Sequence, residues 1–257
     1  VLGLSKSKFT PDDLIRALLL APVDLLWNGG IGTYVKAEEE THEQVGDRAN
    51  NAVRVNGKEL RCKIVGEGGN LGFTQRGRIE YARSGGRINT DAIDNSAGVD
   101  CSDHEVNIKI AFSPLLSGGK LTMEKRDKVL VKMTDEVASL VLKDNVLQTQ
   151  ALTIAEQQGA SMLEPMQRLM HTLERHGLLD RAIEFLPTDK QIAELKAAKK
   201  GLTRPEIAVL LAYSKMQLYK EILESSLPDE PYFLSDLKRY FPQAMQNEFE
   251  DAIEKHR

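Results

Sequence analysis

The chain has 257 residues, of which 41% are hydrophobic and 28% are charged, and its 34 basic and 38 acidic side chains give a net charge of −4. This composition is typical of a globular protein and excludes a disordered or collagen-like chain. A nucleic-acid binder is disfavoured, because such a protein needs a basic face. Arg16 and Asp24 interrupt the one apolar stretch that approaches a membrane span, so we expect no membrane segment.

The cysteines and the first residues of the sequence indicate the cellular compartment and whether the chain is a piece of a longer protein. Its two cysteines, Cys62 and Cys101, form no C-x-x-C pair, which excludes a disulfide scaffold and a cysteine-built zinc site and favours a reducing cytoplasm. The sequence begins Val-Leu-Gly-Leu, without an initiator Met and without a signal-peptide pattern. We therefore expect a cytoplasmic piece of a longer protein.

The first part of the chain predicts short strands that alternate with helices. Most of the 19 glycines precede Lys120, whereas all seven methionines follow it. Thr10 and Pro11 mark the start of a first helix. The further predicted elements are strands at 23–27, 61–66 and 86–89, helices at 75–83 and from about Ser96, and a helix-compatible segment at 38–53. This alternation indicates a parallel sheet, whose ligands would lie at the carboxyl ends of the strands.

The second part predicts only helices. A long amphipathic helix at 121–142 and one or two helices within 144–175 precede capping boxes that begin at Thr188 and Thr203, and short helices are predicted at 235–240 and 244–255. We therefore expect an α/β fold with a partial Rossmann-type parallel sheet, followed by an all-α C-terminal domain. The predicted domains are residues 1–119 and 120–257.

The loop after the strand at 61–66 is the first candidate binding site. It reads GEGGNLG and fails the dinucleotide pattern G-x-G-x-x-G, because Leu71 stands where the third glycine belongs. Its backbone amides and the side chain of Asn70 suit a sugar or a carboxamide better than a pyrophosphate. The alternative is a plain turn, as for the other glycine-rich loops.

The helix that begins near Ser96 is the second candidate. Asn95 precedes it and Ser102 lies nearly two turns in, and the positive end of the helix favours an anion or a polar ligand. The alternative is that Asn95 caps the helix and Ser102 bonds to a backbone carbonyl.

Other reactive side chains predict neither a catalytic triad nor a metal site. Asp100 and His104 share one helix face at i, i+4, but two ligands fall short of the three or four that zinc normally takes. A surface ion pair is therefore favoured for them. Cys62 lies in an apolar strand and is expected in the core.

Three blocks stand out when they are taken together: PVDLLWNGG at 22–30, KIVGEGGN at 63–70 and DNSAGVDCSDHE at 94–105. In order and spacing they resemble the second half of the nucleotide-binding domain of glutamate dehydrogenases, where the patterns are V-D-I-L followed by P-A-A, K-I-V-x-E-x-A-N, and N-x-G-G-V-x-x-S-x-x-E. Their particular residues are similar to those of the very long, NAD-specific bacterial enzymes. The part from Lys120 resembles the C-terminal extension of that group.

The resemblance implies oxidative deamination of L-glutamate to 2-oxoglutarate and ammonium, with NAD as the cofactor and a homo-oligomeric full-length enzyme. Asn70 matches an asparagine near the nicotinamide ribose, and Asn95 matches one that borders the nicotinamide carboxamide. Ser102 matches the serine that binds the side-chain carboxylate of glutamate. The P-A-A loop, whose backbone lines the cofactor cleft, is replaced by Asn28, Gly29 and Gly30.

The sequence also departs from the family. Leu71 to Thr74 replace the N-G-P-T-T loop, and Asp103 and His104 replace aromatic residues after the substrate serine. The family's catalytic lysine and aspartate and its pyrophosphate loop match no segment here. We therefore expect the chain alone to be inactive and to bind NAD weakly or not at all. The alternative hypothesis is a non-catalytic helical module that assembles or regulates a larger enzyme.

Overall fold

A computed structural model describes residues 8–256 of the chain as mostly helical, with two short pairs of parallel strands. These residues form two compact units: unit 1 holds residues 8–95 and 148–215, and unit 2 holds residues 96–147 and 216–256. The predicted domain boundary between Gly119 and Lys120 falls in the turn between two helices of unit 2. As a division of the chain into domains, that boundary stays a prediction.

The elements follow in chain order. The strands are β1 (Leu25–Asn28), β2 (Val35–Lys36), β3 (Val55–Asn56) and β4 (Ile64–Glu67). The helices are α1 (Pro11–Leu19), α2 (His42–Val45), α3 (Gln75–Arg83), α4 (Asp91–Asp94), α5 (Ser96–Ser117), α6 (Met123–Gln157), α7 (Leu163–Arg175), α8 (Asp189–Ala197), α9 (Arg204–Leu223), α10 (Leu234–Tyr240), α11 (Gln243–Glu248) and α12 (Glu250–Glu254). None of the helices in the described part of the chain has the length and apolar character that a bilayer crossing requires.

The predicted parallel pairing is confirmed for the strands near 23–27 and 61–66. β1 pairs with β4 in parallel, from Leu25 opposite Ile64 to Asn28 opposite Glu67. The predicted strand at 86–89 is wrong as a strand, because only a single parallel bridge joins Arg87 to Ile64. β2 and β3 form the second parallel pair. The small sheet therefore brings the carboxyl ends of β1 and β4 to the same edge.

The segment at 38–53 forms far less helix than its polar sequence allows. α2 covers only four residues and ends at Gly46, whose φ of 80° lies in the left-handed region. Glycine adopts this conformation at little cost, and it commonly ends a helix. A three-residue 3₁₀ turn, Arg48–Asn50, follows.

Two separate cores stabilise unit 1. One packs under the sheet around Val35, Phe73 and Tyr81, and it includes Cys62, as predicted. The other is made by the helices from α6 to α9, around Leu152, Met170 and Leu173. The predicted capping box at the start of α8 is confirmed, because Thr188 and Gln191 bond reciprocally to each other's backbone. Local capping and apolar burial therefore act together here.

Unit 2 has its own core. It is formed by α5, α6 and the C-terminal helices, with Phe112, Met133, Phe241 and Met245 almost fully buried. The ring of Phe112 meets that of Phe249 edge to face, with centroids 5.1 Å apart. The aromatic and methionine side chains thus fill a single apolar interior.

Candidate functional site

The residues that follow β1 and β4 form one edge, here called the carboxyl edge (Asn28–Gly30 and Glu67–Asn70). Asn28 lies opposite Glu67 in the strand register, so both loops begin at the same level of the sheet. The amide of Gly69 donates to the carbonyl of Asn28 at 3.0 Å. The amide of Gly30 donates to Oδ1 of Asn28 at 3.3 Å. The side chain of Asn28 therefore shapes its own loop, while its backbone holds the other.

The two loops approach so closely that only glycine fits at their contact. A Cβ built on Gly69 would lie 2.4 Å from the carbonyl oxygen of Gly30, which is well inside van der Waals contact. Any side chain at position 69 would push the loops apart. Gly29 and Gly30 are exposed, so their backbone faces solvent at this edge.

The carboxyl edge also brings together two of the predicted cofactor residues. The side-chain amide of Asn95 donates to Oδ1 of Asn70, across 25 positions of sequence. Asn70 is exposed and Asn95 is half-buried. The alternative in which Asn95 only caps α5 leaves this contact unexplained. Two side-chain amides thus lie side by side, and together they offer both donors and acceptors to a ligand.

A buried ion pair between Glu67 and Arg78 holds the carboxyl edge in place. The carboxylate of Glu67 is fully buried and accepts from Arg78 Nε at 2.7 Å and from Arg78 Nη2 at 2.9 Å. It also accepts from the amide of Phe73 at 3.2 Å. Burial raises the pKa of the Glu67 carboxyl, and the guanidinium of Arg78 opposes that shift. A bidentate pair of this kind fixes the position of β4 where it ends.

Two aspartates extend the network into the loops. Asp94 accepts from the amide of Glu67 at 2.9 Å and from the side chain of Asn89 at 2.6 Å. Asp91 accepts from the amide of Leu71 at 2.7 Å and lies 3.2 Å from Arg78. Burial raises the pKa of the Asp94 carboxyl. The segment that ends at Asn95 is therefore tied to the loop that carries Asn70.

These supporting charges were not predicted from the sequence. The signal for Glu67 was present, because a carboxylate directly after the apolar residues of a buried strand must find a partner. The identity of that partner, Arg78, depends on how α3 packs on the strand, and no local spacing reveals it.

Ser102 lies in unit 2, on α5. Its hydroxyl is exposed and donates to the carbonyl of Gly98 at 3.2 Å, four residues earlier in the helix. This is the backbone contact that the alternative interpretation foresaw. The role of Ser102 in binding glutamate stays a prediction.

The predicted surface ion pair of Asp100 and His104 is wrong. The two side chains share a face of α5, as expected, but His104 is only 1% exposed and its ring stacks on Tyr240 with centroids 4.5 Å apart. Asp144, from α6, lies beside both. Burial raises the pKa of the Asp100 carboxyl, and the negative charge of Asp144 raises it further. The cluster was not recognised because Asp144 is distant in sequence.

Comparison with known proteins gives consistent matches. Residues 1–155 match a family described as bacterial NAD-glutamate dehydrogenase, catalytic domain, and residues 199–257 match one described as glutamate dehydrogenase, C-terminal. NAD-specific glutamate dehydrogenases of Pseudomonas aeruginosa, Halomonas elongata and Mycobacterium tuberculosis are 52%, 49% and 50% identical, over 99% or more of this chain. The chain spans 16% of the length of each of these relatives.

Proposed function

Because the chain belongs to the family of bacterial NAD-glutamate dehydrogenases, we propose that it is a segment of an enzyme that oxidatively deaminates L-glutamate to 2-oxoglutarate and ammonium with NAD. We further propose that β1 and β4 are part of a Rossmann-type sheet and that the carboxyl edge lines the cofactor cleft. The enzyme is proposed to act in the cytoplasm as a homo-oligomer.

The observation that carries this proposal is the contact between the side chains of Asn70 and Asn95 at the carboxyl edge. Ligands of open α/β sheets bind outside the carboxyl ends of the strands. The two amides can donate and accept at the same time, as a nicotinamide carboxamide and a ribose hydroxyl require. The side chains present therefore fit the sugar and amide portion of NAD.

The residues of the carboxyl edge and Asn95 are proposed to bind and orient the cofactor. Bound NAD would supply the acceptor for the hydride of the substrate. Asn95 would hold the carboxamide and Asn70 the ribose, which together orient the ring that reacts. Asn28, Gly29 and Gly30 would present exposed backbone to the cofactor. The pair of Glu67 and Arg78 would keep the two loops in place before the ligand arrives.

Ser102 is proposed to bind the side-chain carboxylate of glutamate. Its exposed hydroxyl can turn from the carbonyl of Gly98 to a ligand, because a hydroxyl proton rotates freely. A hydrogen bond from a neutral hydroxyl to a carboxylate is stronger than one to a carbonyl, since the acceptor is charged.

Single substitutions in the full-length enzyme test these roles. We expect Asn95→Ala to raise the KM for NAD by about three- to tenfold, the value of one neutral hydrogen bond. Ser102→Ala should raise the KM for glutamate by about ten- to a hundredfold and leave that for NAD unchanged. Asn247→Ala, which changes an exposed asparagine of unit 2, is the control. Normal steady-state kinetics in both test variants would contradict the proposed site.

The segment alone is proposed to lack catalysis. The resemblance assigns the catalytic lysine, the catalytic aspartate and the pyrophosphate loop to other parts of the enzyme. We therefore expect the isolated chain to show no glutamate-dependent reduction of NAD and only weak calorimetric binding of NAD. Tight binding of NAD by the isolated chain would contradict this expectation.

A second candidate function is assembly of the full-length enzyme from copies of itself. An apolar groove of about 790 Å³ lies between α5 and α6, and its lining includes Phe112, Leu116 and Leu130. If the groove joins two copies, Leu130→Glu should lower the oligomer mass measured by light scattering. Val131→Glu, one position along the same helix and outside the groove, should not. An unchanged mass in both variants would rule out this role for the groove.

A further inference from the structure

One imidazole and two carboxylates converge in unit 2. Asp100 and His104 lie four residues apart on α5 and therefore share one face of that helix. Asp144 comes from α6. One possible ligand atom from each side chain lies within 4.8 Å of the other two. All three residues belong to the same compact unit.

His104 is the unusual member of this cluster. It is 1% exposed, and within the described residues 8–256 neither of its ring nitrogens has a hydrogen-bond partner. Buried polar side chains in native proteins are almost always satisfied, so an imidazole with both nitrogens unpartnered calls for a ligand. The face of the ring is occupied by Tyr240, which stacks on it at an interplanar angle of 14°. The stacking leaves the edge of the ring uncovered, and it is there that the unprotonated nitrogen of a neutral imidazole carries its lone pair.

The carboxylates of Asp100 and Asp144 indicate that this ligand is a cation. Oδ2 of Asp100 is buried and, in the part of the chain that the structure describes, has no hydrogen-bond partner. Asp144 lies beside it, so two like charges meet here and repel each other. A cation that both carboxylates bind would turn this repulsion into attraction.

We propose that Asp100, His104 and Asp144 bind one divalent transition-metal ion, with zinc as the best match. Zinc accepts imidazole nitrogen together with carboxylate oxygen. Magnesium and calcium prefer sites made of oxygen ligands alone, whereas soft metal ions such as Cu(I) prefer the thiolate of cysteine. Three protein ligands leave a fourth position for water, and the exposed side chain of Asp144 opens the cluster to solvent.

The geometry requires only a small adjustment. Tetrahedral ligands at about 2.1 Å from zinc lie about 3.4 Å from one another, so the three side chains must close in slightly. The exposed side chain of Asp144 can do so by rotation. Ser102 points about 200° around α5 from Asp100. The ion would thus tie α5 to α6 without using the face of α5 that carries Ser102.

Zinc binding to the full-length protein tests the site, after treatment with a chelator and titration with zinc sulfate by calorimetry. We expect wild type to bind one more equivalent of zinc than Asp144→Asn, or to bind it at least about tenfold more tightly. Asp135→Asn removes an exposed carboxylate from the same helix and should bind as wild type does. Equal stoichiometry and affinity in wild type and Asp144→Asn would overturn the proposal.

A second measurement covers the buried ligand, since a change at His104 can disturb folding. Cobalt(II) replaces zinc and reports its ligands through visible absorption. Wild type should show the intense bands of a four-coordinate site, and Asp144→Asn, whose change is at an exposed position, should lose them. His104→Gln, if it retains the circular dichroism of wild type, should lose them too. Bands that persist in either variant would overturn the assignment of that ligand.

Discussion

The guanidinium of Arg78 donates two hydrogen bonds to the buried carboxylate of Glu67, at 2.7 and 2.9 Å. This pair includes the first residue of the second loop of the carboxyl edge, since Glu67 ends β4. The backbone amide of Glu67 donates a hydrogen bond to the side chain of Asp94. Asp94 directly precedes Asn95 in the sequence. The position of both proposed cofactor amides therefore depends on one ion pair.

The first prediction concerns this pair. We expect Arg78→Met to lower the free energy of unfolding by about 3–5 kcal/mol, because it leaves the Glu67 carboxylate buried and without its cationic partner. The measurement is urea unfolding followed by circular dichroism. Arg76→Met, at an exposed position on the same helix, removes only a cation–π contact with Phe185 and should cost about 1 kcal/mol or less.

A double substitution separates the buried charge from simple loss of packing. Glu67→Met combined with Arg78→Met removes both charges, and we expect it to cost less than Arg78→Met alone. If the double variant is as unstable as the sum of the two single ones, the pair does not interact as the geometry indicates.

The second prediction compares two positions of α6 that lie two residues apart. Met133 is almost fully buried in the core of unit 2, whereas Val131 is 78% exposed. Met133→Ala should lower the free energy of unfolding by about 2–5 kcal/mol through lost burial and a new cavity. Val131→Ala should change it by no more than about 0.5 kcal/mol. Similar losses in both variants, measured by urea unfolding, would contradict the orientation of α6.

The parts of the fold that the sequence predicted depend on local chemistry. The capping box of Thr188 and Gln191 joins residues three positions apart, so it can be predicted without knowledge of the tertiary structure. The same holds for Thr10, whose side chain accepts from the amide of Asp13 at the start of α1. The three family blocks were equally local, and the family they indicated is confirmed by the matches to known proteins.

Two kinds of feature were not predicted from the sequence. One is a contact between residues that are distant in the sequence, and the other is a helix that continues because no helix-breaking residue ends it. α6 runs on to Gln157, past the predicted end near Leu142, because no Gly or Pro interrupts it between these points. The partner of Glu67 and the third member of the Asp100 cluster each come from another element. The spacing of apolar residues predicts which face of a helix is buried, but it does not predict the residues that pack against that face.

The last prediction is a pH dependence in unit 1. The hydroxyl of Tyr213 donates to Oε1 of Glu184 at 2.7 Å. This hydrogen bond to a carboxylate raises the pKa of Tyr213 to about 12, against about 10 in an unfolded chain. Since the folded state favours the neutral phenol, the bond contributes its full stability below about pH 10. That contribution is lost as the pH rises through about 12.

Ultraviolet absorbance of the phenolate measures this titration. The difference between wild type and Tyr213→Phe isolates one tyrosine of the six, and its midpoint should lie near pH 12. Glu184→Gln should move the midpoint toward the ordinary value, because the neutral amide cannot repel the phenolate by charge. Tyr232→Phe removes an exposed tyrosine and leaves the contact with Glu184 intact, so it is the matched control. A midpoint that Glu184→Gln does not move would show that the charged carboxylate of Glu184 is not the cause of the shift.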